Sequence, residues 1–282
     1  MIAKAFMEIT NLCNLSCSFC HGTCRQGRMI TDEEFEQRTD ALAGKVKFLY
    51  FHLMGEPLLH PRFPHFVRRA WEKGFYPILT TNGSLLAKRG AEVLEALPYK
   101  ISISLHAPAA NAAFADPTYF DSCIDFAKQA AAKGCITVLR LWNIGGEGEE
   151  ENDAILARLH QAFPDEWAPS HRDSIRLCRD KVFLEWGEHF DWPAVDAPEV
   201  PPETEVFCHA LRDQFGVLCD GTVVPCCLDA DGNLPLGSLD ATPLEDILAS
   251  ERARAIYDGF TCRRATEPFC RRCGYARRFS TK

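Results

Sequence analysis

Cys13, Cys17 and Cys20 stand in the run CNLSCSFC at C-x3-C-x2-C spacing, just after a strand-like stretch, Ala5–Thr10. Three thiolates on one tight loop can hold three corners of a 4Fe–4S cube, whereas most such clusters take four cysteines. One iron then stays open to an outside ligand. An open iron can bind and reduce something, while a closed cluster only passes electrons. The competing reading is a structural zinc knuckle, with His21 or Cys24 as its fourth ligand. Against it stand the position of the triad after a first strand and a second cysteine set far downstream. That set is Cys208, Cys219, Cys226, Cys227, Cys262, Cys270 and Cys273. It closes on a C-x2-C pair, which is metal-ligand spacing for a cluster or, alternatively, a zinc ribbon.

These residues need elements to position them. Strand patterns fall at Ala5–Thr10, Phe48–Leu53, Tyr76–Thr80, Ile101–Leu105, Ile136–Trp142 and Ser174–Phe183. Helix patterns lie between them at Asp32–Ala43, Phe63–Lys73, Leu85–Leu97, Tyr119–Lys133 and Glu150–Gln161. Thr31 with Glu34 makes a capping box for the first helix, and Gly74 and Gly134 terminate two others. Such alternation predicts parallel strands with helices outside, in too few units for an eight-stranded barrel. In barrel-type folds chemistry sits at the C-terminal strand ends. The cysteine loop, Gly55-Glu56 and Asn82 all follow strand patterns. Residues 187–205 carry four prolines among acidic residues and read as a stiff strap. Beyond it, Gln214–Cys219 and Thr222–Pro225 flank Asp220-Gly221 as a tight hairpin, followed by a helix over Pro243–Tyr257.

The triad, with Phe19 before its last cysteine, resembles the signature of the radical S-adenosylmethionine (SAM) enzymes. In that family the open iron chelates SAM and an electron from the cluster releases a 5′-deoxyadenosyl radical. The resemblance implies a partial (β/α)6 barrel over residues 1–190. It also implies a SAM-binding 4Fe–4S cluster on Cys13, Cys17 and Cys20, and SAM itself as a cofactor. The stretch Met54-Gly55-Glu56 resembles the family's Gly-Gly-Glu motif with its first glycine replaced, leaving Gly55 and Glu56 to meet the SAM ammonium. Asn82, Ser104 and Phe19 match further SAM-side positions. The arginine usual after the fourth strand is missing from 107–133, so Arg140 on the fifth strand is the substitute. Competing readings are a helix cap for Glu56 and a plain Asn-Gly turn for Asn82. His52 and His106 read as structural.

The order C-x12-G-x4-C, from Cys208 through Gly221 to Cys226, is similar to the opening of the SPASM and Twitch auxiliary domains. This implies a Pro-rich linker over 191–204 and a small β-hairpin/helix domain over 205–282. One auxiliary 4Fe–4S cluster is then expected on Cys208, Cys226, Cys270 and Cys273, with Cys219 and Cys227 as the alternatives. Four ligands close that cluster for electron relay, which favours oxidation of a small-molecule or peptide substrate. An epimerase using a thiol hydrogen donor, or a peptide-modifying enzyme, is the next expectation. A non-catalytic iron–sulfur electron carrier is the rival from another class. A flavodoxin or ferredoxin is the expected electron donor.

Composition bounds these readings. The 282 residues are 46% hydrophobic and 25% charged, an ordinary globular balance, and the net charge of −8 argues against a nucleic-acid partner. Arginines crowd the last thirty residues, where a solvated basic face is the simplest account. No apolar run is long enough to span a membrane, and the N-terminus lacks a signal-peptide core. Fourteen cysteines in such a chain point to metal binding rather than disulfides, and to a cytoplasmic setting.

Overall fold

Alternation of β-branched and aromatic runs with amphipathic helices produces one continuous sheet. The computed structural model describes residues 2–279 other than Ala112, Arg172, Arg179 and Val195. The outermost positions of the two expected domains, Met1 and 280–282, therefore lie outside the described residues. The first strands are β1 (Lys4–Met7), β2 (Phe48–Tyr50), β3 (Tyr76–Thr81), β4 (Lys100–Ser104) and β5 (Ile136–Ile144). Between them run α1 (Asp32–Leu42), α2 (Phe63–Glu72), α3 (Leu86–Ala96) and α4 (Tyr119–Ala132), and α5 (Asn152–Ala162) follows β5. The pairs β1–β2, β2–β3, β3–β4 and β4–β5 are all parallel. The capping box forms as read: Glu34 N–H donates to Thr31 Oγ1 at 3.2 Å, and Thr31 N–H to Glu34 Oε2 at 2.8 Å. Gly74 and Gly134 take φ of +84° and +92° at their helix ends, where a Cβ is disfavoured.

Two expectations need correcting. The run Ser174–Phe183 is not one strand. It folds back on itself as part of an antiparallel ribbon of β6 (Ala168–Pro169), β7 (Ser174–Arg176) and β8 (Val182–Glu188), turning through the polar stretch at Asp180-Lys181. Only β8 joins β5 in parallel, completing the six-stranded partial barrel. The expected helix Pro243–Tyr257 is also interrupted. It becomes α6 (Leu244–Leu248) and α7 (Glu251–Thr261), because Ser250 accepts from Ala253 N–H and starts a new helix. Two short helices follow, α8 (Pro268–Arg271) and α9 (Gly274–Arg277).

The hairpin forms where Asp220-Gly221 predicts it, between β9 (Gln214–Val217) and β10 (Thr222–Val224), with β11 (Gly237–Ser238) beside it. Gly221 has φ +85°, and a Cβ there would lie 2.4 Å from the Asp240 carboxylate, so no other residue fits unchanged. The hairpin does not stand apart: β9 pairs in parallel with β1, extending the barrel sheet.

Side-chain alternation assigns the two faces of the barrel sheet. Ala5, Met7, Leu49, Phe51, Leu139 and Leu141 are buried in the main core with the helices. Phe6, Tyr50, His52, Arg140 and Trp142 point the other way and line an internal cavity. No described helix is long and apolar enough to cross a membrane.

Candidate cluster and radical site

The three-cysteine loop hangs from the end of β1 and lies against the ends of β2, β3 and β4. Gly55 makes this approach possible. Its φ is +77°, and a Cβ would sit 2.5 Å from the Thr10 carbonyl oxygen. Glu56 N–H donates to the Leu12 carbonyl at 2.8 Å, joining the β2 end to the loop. From β4's side, Ser18 N–H donates to Ala110 O at 2.9 Å, and Cys17 Sγ lies 3.6 Å from Ala107 O. Asn82 Nδ2 lies 3.8 Å from Cys13 Sγ and donates to Asn14 Oδ1 at 3.1 Å. The Phe19 ring packs 5.1 Å from His106. The Tyr119 hydroxyl lies 2.8 Å from Asn82 O and 3.0 Å from Ser104 O, its one proton shared between them, and so bridges the β3 and β4 ends.

The three thiols sense one another. Burial, with Cys20 and Cys13 adding, pushes Cys17 up to about 11. Burial likewise raises Cys13, with Glu56 and Cys20 contributing. Three anionic sulfurs this close need a cationic centre among them, and iron binding displaces their protons.

Glu56 has hydrogen-bond partners within the protein. Its carboxylate is buried and already accepts from Leu58 N–H at 3.0 Å, Thr81 Oγ1 at 2.8 Å and Asn82 N–H at 2.7 Å. It caps the short turn Pro57–Leu59 and fixes the Asn82 loop, which is the helix-cap reading. Burial pushes its pKa up to about 7 despite those donors. His106 Nδ1 lies 3.1 Å from Arg140 O and 3.3 Å from Trp142 N, a structural tie to β5.

Arg140 lies away from the triad. It stacks 4.4 Å over Trp142, with Glu185 Oε1 3.8 Å from its Nε, and lines a cavity of about 250 Å³. Across that cavity stand Cys208, Cys226, Cys227, Cys270 and Cys273. Arg140 Nε and His52 Nδ1 are buried there without hydrogen-bond partners. Burial, and then Arg140, drive the His52 pKa down to about 3, so its ring is neutral.

The downstream cysteines divide cleanly. Burial, and then Cys208, Cys227, Cys270 and Cys273, push Cys226 far up. Cys227, raised to about 12 chiefly by burial, feels Cys208 and Cys273. Cys226 thus neighbours Cys208, Cys227, Cys270 and Cys273. Cys219 instead lies beside Glu8, its Sγ 3.3 Å from Glu8 O, and Cys262 is exposed at the end of α7. Cys123 and Cys135 are core residues, and Cys178 sits in the turn before β8.

The donors suit clusters. Soft thiolates are the ligands iron–sulfur centres take. Among the described residues no three of His, Cys, Asp and Glu close on a point as the ligands of a single ion do. Cys208, Cys226, Cys227, Cys270 and Cys273 line one cavity.

Sequence reasoning missed the residues that tie the triad loop to the C-terminal third. Glu8, fully buried, accepts from Arg25 Nη2 at both carboxylate oxygens, 2.7 and 2.9 Å, and from Cys219 N–H at 3.0 Å. A lone acid at a strand end carries no local signal of partners so far along the chain.

Residues 7–159 match the family model of the radical SAM superfamily, and residues 208–274 match SPASM, an iron-sulfur cluster-binding domain. A tungsten-containing aldehyde ferredoxin oxidoreductase cofactor-modifying protein of Pyrococcus furiosus is 39% identical over 85 residues, covering 29% of this chain and 24% of that protein. A PqqA peptide cyclase of Streptomyces rochei is 30% identical over 138 residues, covering 47% of this chain and 38% of that one. The chain thus aligns with well under half the length of these relatives. Among solved structures, BtrN in complex with AdoMet and 2-DOIA superposes with a TM-score of 0.58 at 17% identity, covering 97% of this chain and 93% of that one. Native anSMEcpe with bound AdoMet gives 0.62 at 12% identity, covering 89% and 82%. At these identities the likeness is one of fold.

Proposed function

Because the chain belongs to the radical SAM superfamily and carries a SPASM iron–sulfur domain, with SAM and iron–sulfur clusters as its cofactors, we propose that it oxidises a substrate held in the barrel beside the second cysteine set. The observation that carries this reading is the shared cavity, walled by barrel residues on one side and by cysteines of the second set on the other. When bound, the clusters would supply an electron that splits SAM into methionine and a 5′-deoxyadenosyl radical, which takes one hydrogen atom from the substrate, and an acceptor for the electron the substrate then gives up as its second hydrogen leaves as a proton.

The chain's own residues divide the remaining work. Cys13, Cys17 and Cys20 hold three irons and leave the fourth to SAM. Backbone at Gly55 and the side chains of Asn82, Ser104 and Phe19 line the strand ends where SAM is to be oriented. Glu56 acts through its hold on Asn82 rather than by touching SAM. Cys208, Cys226, Cys270 and Cys273 close the auxiliary site. Arg140, with Trp142 and Tyr50, faces the substrate space instead of SAM. We assign the barrel to 1–190, the strap to 191–204 and the auxiliary domain to 205–282.

Anaerobic, reduced protein incubated with SAM is expected to release 5′-deoxyadenosine. Alanine at Cys13, Cys17 and Cys20 should abolish release. Alanine at Cys270 should spare SAM cleavage but block a product lighter by two hydrogens. An electron carrier with no catalytic role would release no 5′-deoxyadenosine. A second reading, epimerisation, draws on Cys227, whose thiol lines the same cavity. It predicts unchanged product mass with one deuterium gained from heavy water.

A further inference from the structure

Two soft donors follow the triad at once in sequence, His21 and Cys24, and imidazole and thiolate both bind iron well. One carboxylate contacts both residues. Asp231 Oδ2 lies 3.4 Å from His21 Nε2. Asp231 Oδ1 accepts from the Thr23 hydroxyl at 2.6 Å and from Cys24 N–H at 2.9 Å. The adjacent Ala230 carbonyl accepts from Arg25 Nε at 2.7 Å. On the other flank the His21 ring stacks on Trp192, centroids 5.9 Å apart, and Trp192 Nε1–H donates to Phe19 O at 3.1 Å. Residues 19–25 are therefore gripped by the strap and by the loop that follows Cys227.

We propose that Asp231 is a positioning residue that holds His21 and Cys24 off the open iron, keeping that position free for SAM. The proposal rests on the reading of Cys13, Cys17 and Cys20 as cluster ligands. His21 is joined directly to Cys20, and consecutive Cα atoms are only about 3.8 Å apart, so the imidazole starts next to the cluster. Without the carboxylate, the Thr23 hydroxyl and the Cys24 amide lose their Asp231 acceptor and the His21–Cys24 stretch is loosened, while Phe19 and Arg25 keep their contacts on either flank. Capping needs no redox change. Either side chain replaces the amino and carboxylate groups of SAM, and Cys24 releases its thiol proton to solvent as it binds.

The test uses full-length protein with both clusters reconstituted anaerobically and reduced with dithionite. Its readouts are the electron paramagnetic resonance spectrum with and without SAM, and equilibrium SAM binding. Wild-type protein is expected to change its spectrum on adding SAM. Asp231→Ala should keep its iron, lose the SAM-dependent change and bind SAM at least about tenfold more weakly. Adding His21→Ala and Cys24→Ala to that variant should restore the change and bring SAM affinity within about threefold of wild type. Wild-type behaviour in Asp231→Ala, or a triple variant as impaired as the single, overturns the proposal; the latter means that Asp231 only props the loop. Wild-type protein indifferent to SAM overturns the reading of the triad instead.

Discussion

At the scale of single residues, burial sets the chemistry. Glu56 sits in a closed pocket with its pKa raised to about 7. A carboxyl raised by folding keeps its proton longer in the native state, so folding stability is full below the unfolded carboxyl pKa. It declines as pH climbs through about 7. Wild type should therefore lose on the order of 3 kcal/mol more than Glu56→Gln between pH 4.5 and pH 8, read from denaturant melts of the cluster-free protein. Arg140 offers a second test. It faces the auxiliary cysteines, so Arg140→Met should leave SAM affinity within about twofold while lowering substrate turnover at least about tenfold. Equal losses of both would return Arg140 to the SAM side.

At the scale of elements, the sequence was most readable where one period rules. Strands β1 to β5 and helices α1 to α5 fall close to their predicted ranges, because each strand alternates against a buried helix layer. The run Ser174–Phe183 misled because two short strands and their turn are all β-prone, and nothing local tells one long strand from a ribbon. The triad was legible from spacing, since three thiols on one loop need no partner to be noticed. Choosing Cys208 over Cys219 was not. Cys219 is part of the hairpin itself while Cys208 precedes it, and only tertiary packing sends the Cys219 thiol to Glu8. Gly221 was readable as a turn, yet the reason it must be glycine, the carboxylate of Asp240, lies in another loop. Gly221→Ala should cost about 2 kcal/mol through its positive φ, and more through the clash, visible as a lower melting temperature.

At the scale of the whole molecule, the barrel and the auxiliary region share one sheet and one core. Arg38 of α1, fully buried, pairs bidentately with Asp240 at 2.7 Å and donates to Cys219 O at 2.9 Å. Glu8 and Arg25 make a second such tie. Removing one partner of a buried pair strands the other, at a cost of about 3 kcal/mol or more. Glu8→Ala should thus lower the melting temperature of the whole chain as a single transition, observed alike by far-ultraviolet circular dichroism and tryptophan fluorescence. Two separate transitions would mean that the regions fold independently. The position of β1 also has a consequence for biosynthesis. Its neighbour on one side, β9, lies far towards the C-terminus. On the ribosome the first strand therefore waits with bare amides and carbonyls along one edge, an invitation to wrong partners.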